Sequence, residues 1–371
     1  MGYVAVQGGI TAIKNAEELT KYMRLRGKSI PLSVKQIQDQ MRFLVDRVMG
    51  EGGLYSPFHA SLAIKQAQGD PIEASFYLRA YRSTLPRLTE SLPLEMEEMR
   101  ITRRISSAFK NIPGGQILGA TTDYHQRMLD FSLLEEEESQ VEEFLHKQEQ
   151  EKSEESPSWG PFRKVVDILR EQELVKPTPE KVEEPIFDIT QNSVAFPAPR
   201  SARLQMLARS ETGGILALAY SSMRGFGSVH PTIAELRVGF VPVNIPHPYR
   251  KNKNLTIGFV EITEVEIVAK FAAEEKGEKP YFTLGYGICF GSNELKAISM
   301  AVLDRAMKEK EAKAPAQDQE FVLLHTDGIE SSGFCSHFKL PHYITFQSAL
   351  DRLRSTQEKQ KKIKLTKEKR L

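Results

Sequence analysis

Apolar residues recur at helical spacing through the first 134 residues. From Ser33 to Gly50 they occupy one face of a helix, and Ser33 suits its N-cap. Further helices are predicted from Ala12 to Arg26 and in the stretches SPFHASLAIKQAQGD and PIEASFYLRAYRSTL, where Pro71 suits a first helical turn. The opening YVAVQGG is typical of a short strand that enters a glycine turn. The pattern predicts a mostly helical N-terminal domain over residues 1–135.

The pattern changes abruptly after Leu134. Residues 135 to 155 hold ten glutamates and two lysines, and a polar stretch continues through VKPTPEKVEEPIF. Such a composition buries too little apolar surface to form its own core. We therefore predict an acidic, solvated insertion over residues 136–187, with one short helix around 162–174.

Residues 188–350 combine strand and helix patterns. Strands are predicted at Ile215–Tyr220, in IAELRVGFVPVNI, at Leu255–Phe271 and in YFTLGYGICF, and a helix is predicted to begin near Ser292. The tail, residues 351–371, has nine Lys or Arg against three Asp or Glu, which indicates a basic helix. The whole pattern predicts an α+β protein with a mixed C-terminal domain, an acidic insertion and a basic tail.

Composition narrows the class of protein. The formal net charge of the 371 residues is +1, so no overall field attracts nucleic acid or a membrane surface. No apolar run reaches the length of a membrane span, and the N-terminus lacks a secretory pattern. Two cysteines in so long a chain argue against a disulfide scaffold. We expect a cytoplasmic protein of two domains.

Two glycine-containing segments are candidates for anion binding. In GYGICFGSN, Gly285 and Gly287 lie between a predicted strand and a helix N-terminus, which favours anions. A plain strand-to-helix turn is the favoured explanation of this spacing. In SMRGFGSVHP, an arginine and exposed backbone amides suit phosphate or phosphonate oxygens, and a structural loop is the alternative. The candidates in this second segment are Arg224, Gly225, Gly227 and His230.

A third glycine-rich loop precedes a run of polar residues. In NIPGGQILGATTDYHQRMLDF, a turn-rich segment from Pro113 to Gly119 leads into a predicted helix that carries Asp123 and Asp130. The loop is either a simple connector or a segment that approaches a ligand through its backbone.

His337 and His342 flank a proline in GFCSHFKLPHYITF. Neither a helix nor a straight strand brings two residues five positions apart to one side, so a turn near Leu340 and Pro341 is needed for the rings to converge. A catalytic zinc site uses three protein ligands. A third ligand would have to come from Cys335, His325, Asp327 or another chain, and hydrogen-bonded structural histidines are the alternative.

Six separated blocks resemble the PhnI family of subunits of the bacterial carbon–phosphorus lyase system. They are MGYVAVQGG, LVDRVMGEGG, AFKNIPGGQILGATTDYHQRMLDF, SARLQMLARSETGGILALAYSSMRGFGSVHP, LGYGICFGSNELKAISMAVLDRA and PAQDQEFVLLHTDGIESSGFCSHFKLPHY. The resemblance runs in order along the chain and lapses in the acidic insertion and the basic tail.

The resemblance implies a function in phosphonate catabolism. With partner subunits, such a protein displaces adenine from MgATP by an alkylphosphonate and forms ribose 1-alkylphosphonate 5-triphosphate. Alone, it acts as a nucleosidase on ATP or GTP. The implied partners are the G, H and J subunits of a core complex with two copies of each chain, and the ABC-type K and L subunits. The rival interpretation is an assembly subunit that organises the lyase subunit and contributes only metal ligands.

The resemblance also implies site residues. His337 and His342 match a histidine pair implicated in zinc binding at a subunit interface, and Cys335 is not expected to join them. Loss of a nucleobase passes through an oxocarbenium-like sugar, which calls for nearby carboxylates. The candidate carboxylates are Asp123, Asp130, Glu294, Asp304 and Asp327. Of these, Asp304 is expected to pair with an arginine instead.

Overall fold

A computed structural model describes residues 8–151, 162–176, 186–224, 230–272, 279–309 and 311–368. Over these residues the fold is α+β, as predicted. The chain divides into two compact units, Val34–Asp327 and a smaller unit formed by Met1–Ser33 with Gly328–Leu371. The predicted domain organisation stays a prediction. It divides the chain into the segments 1–135, 136–187, 188–350 and 351–371. The predicted strand in YVAVQGG lies outside the described residues.

The described residues contain thirteen α-helices, three short 3₁₀ helices and four strands. The α-helices are α1 (Gly9–Leu25), α2 (Val34–Gln40), α3 (Arg42–Gly52), α4 (Pro57–Gln66), α5 (Pro71–Thr84), α6 (Glu138–Glu151), α7 (Val165–Glu171), α8 (Arg200–Arg209), α9 (Thr212–Met223), α10 (Glu294–Ala306), α11 (Gln319–His325), α12 (Gly328–His337) and α13 (Tyr343–Glu368). The 3₁₀ helices are Met96–Glu98, Phe131–Glu135 and Pro315–Gln317. The helix predicted from Ser33 is in fact two helices, because Met41 leaves the helical conformation between them.

The larger unit is built on one antiparallel sheet. Its strands are β1 (Arg100–Ile105), β2 (Thr232–Pro246), β3 (Asn254–Ala272) and β4 (Tyr281–Phe290), and they lie side by side in that order. The sequence predicted the last three strands. It missed β1, a short strand inside the part predicted to be mostly helical.

Two glycines allow α10 to lie close to β4. A Cβ at Gly285 would stand 2.0 Å from the carbonyl oxygen of Ala301, and a Cβ at Gly287 would stand 1.9 Å from that of Ala297. The helix then buries Met300 and Leu303 in the main core between sheet and helices. α10 begins at Glu294 with Asn293 as its N-cap, two residues after the predicted start.

The predicted strand at Ile215–Tyr220 is wrong, because these residues belong to helix α9. Glu211 caps this helix through its side chain, which accepts hydrogen bonds from the amides of Gly213 and Gly214. Ile215 and Ala219, four positions apart, are buried on one face. A short apolar run does not distinguish a strand from a buried helix, and here the cap at Glu211 decides the outcome.

The acidic insertion is more structured than its composition suggests. It contains two helices, α6 and α7, where one was predicted. The shorter one, α7, falls inside the predicted range of 162–174, and it buries Val165, Val166 and Leu169 against the sheet. The predicted short helix is therefore confirmed, whereas the prediction that this part of the insertion is solvated is wrong. The helix predicted to carry Asp123 and Asp130 is also absent, since these residues lie in turns that lead to the 3₁₀ helix at Phe131–Glu135.

The smaller unit consists of helices α1, α12 and α13. None of the described residues of this unit is buried, and apolar side chains such as Ile10, Phe338 and Phe346 are exposed. The predicted basic helix of the tail is confirmed as the end of α13.

Candidate functional site

Arg103 brings together two of the predicted carboxylates. This arginine lies on β1, and only 3% of its side chain is exposed. Its Nη2 atom lies 2.5 Å from Oδ2 of Asp123, and its Nε atom lies 2.7 Å from Oε1 of Glu294. Glu294 is the first residue of α10. The ion pairs thus join a loop, a strand and a helix N-terminus at one point.

The glycine-rich loop reaches this point by running close to β1. Arg104 and Ile117 exchange backbone hydrogen bonds of 2.7 Å. Gly119 has φ +64°, and a Cβ there would stand 2.7 Å from the carbonyl oxygen of Thr102. Arg103 also donates to the carbonyl oxygen of Leu118. The loop therefore serves as a connector that carries Asp123 to Arg103.

The other carboxylates lie in different surroundings. Asp130 caps the 3₁₀ helix through the amide and hydroxyl of Ser132, and these hydrogen bonds lower its pKa. Asp327 lies 2.6 Å from Nη1 of Arg79. Asp304 is fully buried, and the predicted pairing with an arginine is wrong, because over the described residues its ion-pair partner is Lys308. It accepts hydrogen bonds from the amide of Tyr286, at 3.0 Å, and from Nζ of Lys308, at 2.7 Å.

The predicted anion-binding residues are not gathered in one place. Arg224 follows the end of α9 and is exposed, and His230 is exposed shortly before β2. Gly225 and Gly227 lie outside the described residues. For Gly285 and Gly287 the packing against α10 accounts for the absence of a side chain, and their contact with an anion stays a prediction.

An arginine cluster, which sequence reasoning missed, lies where α5 and α8 approach the end of α11. We use this name for Arg79, Arg82, Arg87 and Arg209 together with Asp188 and Asp327. Arg79 donates to Asp327 and to the backbone oxygen of Glu51, both at 2.6 Å. Arg87 lies 2.6 Å from Asp188. The spacing of Arg79 and Arg82 on one helix was a local signal, but nothing in the sequence links them to Arg209.

A buried lysine lies two residues after Glu294. Lys296 is fully buried, and its Nζ atom has no hydrogen-bond partner among the described residues. Burial lowers its pKa, and the negative charge of Glu51 partly offsets this. Glu51 itself accepts from Arg47 at 2.9 Å and from the hydroxyl of Thr212 at 2.9 Å. Glu51 thus links α3 to α9, and its charge acts on the buried lysine of α10.

A second buried network crosses the sheet. Glu264 on β3 pairs with Arg237 on β2, and it accepts from Lys164 at 2.8 Å. Its neighbour Glu266 lies farther from Lys164, at 3.7 Å. Burial therefore dominates and raises the pKa of Glu266 to about 7. The tyrosine hydroxyl of Tyr286, which donates to Glu264 at 3.0 Å, has a raised pKa for the same reason.

In the smaller unit, the histidine rings converge. α12 ends at His337, and the amide of Leu340 donates to the carbonyl oxygen of His337 at 2.9 Å, which produces the predicted turn. The ring centroids of His337 and His342 are 5.3 Å apart. Nδ1 of His337 contacts the backbone oxygen of Phe334, and Nδ1 of His342 lies 2.6 Å from that of Leu340. These contacts leave each Nε2 as the nitrogen available to a metal.

The surroundings of the histidine pair supply space but no third ligand. A cavity of about 460 Å³ is lined by residues 338–343 and Phe346. Over the part of the chain that the structure describes, no group of three or more His, Cys, Asp or Glu side chains could hold a metal ion. Cys335 lies on helix α12, two residues before His337.

The chain is a member of a family of proteins of bacterial phosphonate metabolism. The sequence model of the family described as "Bacterial phosphonate metabolism protein (PhnI)" matches residues 2–360, so the chain belongs to the PhnI family. The predicted family is thereby confirmed, and with it a place in the carbon–phosphorus lyase system.

Three curated proteins are similar over nearly their full length. A protein of Stutzerimonas stutzeri described as the C-P lyase subunit HtxH is 50% identical over 97% of each chain. The subunit PhnI of alpha-D-ribose 1-methylphosphonate 5-triphosphate synthase from Escherichia coli is 44% identical over 96% of this chain and 99% of its own. The subunit of the same name from Rhizobium meliloti is 42% identical over 95% and 94%. Within the described residues, no helix is both long and apolar enough to span a membrane.

Proposed function

We propose that this chain carries the glycosyl-transfer site of a phosphonate-activating complex. With its partners it displaces adenine from MgATP by an alkylphosphonate, and the product is ribose 1-alkylphosphonate 5-triphosphate. Two relatives of 44% and 42% identity are named as subunits of a synthase of such a product, which supports the proposal. The observation that carries it is the convergence of Asp123 and Glu294 on Arg103.

The chemistry needs negative charge beside the sugar. As the bond to the base breaks, positive charge develops on the anomeric carbon, and a carboxylate lowers the energy of that state. We assign this role to Glu294, whose side chain is 25% exposed and forms an ion pair with the buried Arg103. Asp123 is 44% exposed and is placed to act as the acid or base that exchanges a proton with the leaving base or the acceptor.

We propose the same site for activity without partners. With water as the acceptor, loss of the base from ATP or GTP is a nucleosidase reaction. With a positioned phosphonate as the acceptor, it is a transfer reaction. Partner subunits select the second outcome when they hold the phosphonate and exclude water.

The histidine pair fits a zinc ion. Two imidazoles that bind one tetrahedral zinc through Zn–N bonds of about 2.0–2.1 Å have ring centroids about 5 Å apart, which agrees with the 5.3 Å between His337 and His342. We propose that Nε2 of each ring binds the ion. The remaining ligands are then water, substrate or groups of a partner chain. A zinc ion held by these two rings would supply Lewis-acid chemistry toward a phosphoryl oxygen.

The smaller unit supports assembly with partner subunits. None of its described residues is buried, so its apolar side chains form a large exposed surface that a partner subunit can bind. We propose that the G, H and J subunits bind the chain in a complex with two copies of each, to which K and L attach. This feature also favours the second candidate function, a non-catalytic assembly subunit that contributes only metal ligands.

Release of adenine separates the two candidates. The full chain is incubated with MgATP, and free adenine is measured by chromatography, with and without the G, H and L partners and methylphosphonate. Adenine from the isolated chain supports a site on this polypeptide. If adenine appears only with partners, and Glu294→Gln leaves the rate of its release unchanged, the site belongs to the partner subunits.

A further inference from the structure

The arginine cluster carries more positive charge than its own carboxylates balance. It contains four arginines and two aspartates, and Glu90, which lies 3.5 Å from Arg87, adds a third carboxylate, so a formal surplus of one positive charge remains. The aspartates are already engaged, Asp327 with Arg79 and Asp188 with Arg87, both at 2.6 Å. Over the described residues, Arg82 and Arg209 have no ion pair with a carboxylate. Two guanidinium groups are therefore available to a ligand.

Burial makes this surplus of positive charge unfavourable in the protein without a bound anion. Arg209 is partly buried at the end of α8, and burial, reinforced by the charges of Arg82 and Arg79, lowers its pKa to about 10. The pKa of Arg82 is lowered by burial and by the charge of Arg87. Cations that repel one another in a half-buried position are stabilised when an anion of matching charge binds between them.

We propose that the arginine cluster binds an oligophosphate chain, such as the triphosphate of a nucleoside triphosphate. The inference rests on the proposed function, because that function requires a triphosphate as part of the substrate. Guanidinium groups present paired N–H donors that match phosphate oxygens in a bidentate manner. A triphosphate distributes its charge over several groups, and so it matches several arginines better than a single phosphate or phosphonate does.

The geometry of the cluster suits such a ligand. The guanidinium group of Arg79 is held in place by hydrogen bonds to Asp327 and to the backbone oxygen of Glu51. Arg82 lies three positions further along α5, on the same face. Gly53, at the end of α3, has φ +69°, and a Cβ there would stand 3.1 Å from Nε of Arg209. The glycine therefore allows the guanidinium group of Arg209 to pack closely against the end of α3, which fixes its position in the cluster.

Binding is tested separately from turnover. The full chain is titrated calorimetrically with tripolyphosphate, ATP, inorganic phosphate and methylphosphonate at one ionic strength. The variants are Arg82→Gln and Arg209→Gln, and the matched control is Arg250→Gln, an exposed arginine in the turn between β2 and β3. We expect ATP and tripolyphosphate to bind more tightly than the two single anions. Each cluster variant is expected to weaken this binding by about tenfold or more, and the control is expected to leave it unchanged.

Stability of the unliganded variants gives a second readout. Removal of one repelling cation is expected to leave the melting temperature unchanged or to raise it, whereas a purely structural arginine would lower it. Arg82→Lys and Arg209→Lys, which keep the charge but not the paired donors, are expected to bind with intermediate affinity. Equal tripolyphosphate affinity in the wild type and both Gln variants, or a preference for inorganic phosphate, overturns the proposal.

Adenine release shows which of the two proposals fails. If the wild type releases adenine and the Gln variants keep the wild-type KM for MgATP, the arginine cluster is not the triphosphate site and the proposed function stands. If tripolyphosphate binding depends on Arg82 and Arg209 but no adenine is released even with partners, the site stands and the proposed function fails.

Discussion

Nε of Arg103 lies 2.7 Å from Oε1 of Glu294, although 190 residues separate the two in the chain. β1 supplies the arginine from within the sheet, and α10 supplies the carboxylate from its first turn. Because the arginine is buried and the carboxylate is a quarter exposed, the pair presents a fixed negative group at the surface of a rigid core. Such a support is what a carboxylate needs to act on a bound sugar.

Replacement of Arg103 tests this support. Arg103→Met removes the ion pairs to Asp123 and Glu294, and we expect the loss of these pairs to lower the free energy of unfolding by about 1–3 kcal/mol. The loss stays moderate because both carboxylates are partly exposed and recover part of their hydration. Adenine release is expected to fall as well, because Glu294 loses its fixed position. Urea unfolding and chromatography check the two effects. Arg103→Met with wild-type stability and activity would show that the pairs are incidental.

The close packing of α10 on β4 predicts a steric effect at Gly287. In Gly287→Ala the new Cβ would lie 1.9 Å from the carbonyl oxygen of Ala297, so helix and strand must separate. We expect a loss of about 1–3 kcal/mol in the free energy of unfolding. Gly258→Ala on β3 is the matched control, because no atom lies within 4 Å of its new Cβ. Similar urea midpoints for the two variants would rule out the tight contact.

Glu266 predicts a pH dependence of stability. Burial raises its pKa to about 7 in the folded protein, whereas an unfolded glutamate titrates near its ordinary value of 4.5. Between these values the folded state binds more protons than the unfolded state, so this group stabilises the protein at low pH and the contribution is lost as pH rises from 4.5 to 7. The upper limit is about 3 kcal/mol.

The measurement is the urea midpoint at pH 5 and pH 7.5 for the wild type and Glu266→Gln. The variant cannot titrate at this position, so its stability should exceed that of the wild type more at pH 7.5 than at pH 5. Identical pH profiles would mean that Glu266 titrates normally in the folded protein.

The histidine pair predicts a metal content that depends on both rings. We expect the assembled complex to lose zinc when His337 and His342 are both replaced by alanine, because each supplies one Nε2. Elemental analysis of the purified complex checks this. The control is His247→Ala, which replaces a histidine whose Nδ1 accepts from the amides of Tyr249 and Arg250 in the turn between β2 and β3, and it should retain zinc. A full zinc content in the double variant would contradict the assignment.

The sequence predicted elements where one local signal dominates. The long strands β2, β3 and β4 and the helix α10 follow from alternation and from a glycine turn. The turn between His337 and His342 follows from the proline. The segment around Ile215 was misassigned, because a short apolar run fits either type of element and the capping role of Glu211 depends on glycine amides that follow it.

The assembled sites were harder to predict than the elements. Asp123 and Glu294 were both chosen as carboxylates for chemical reasons, but their convergence depends on Arg103, a residue on the strand that the sequence analysis missed. The arginine cluster likewise joins α5 to α8 through folding. Pairings between residues so far apart in the chain are set by packing of the whole core, which a local pattern does not encode.

The most direct test of the account is adenine release from MgATP by the full chain in its reconstituted complex, compared between the wild type and Glu294→Gln. The substitution keeps the shape of the side chain and removes its charge. We predict that the wild type releases adenine and that the variant does so about a hundredfold more slowly. Equal rates in the two proteins would contradict the assignment of glycosyl transfer to this site.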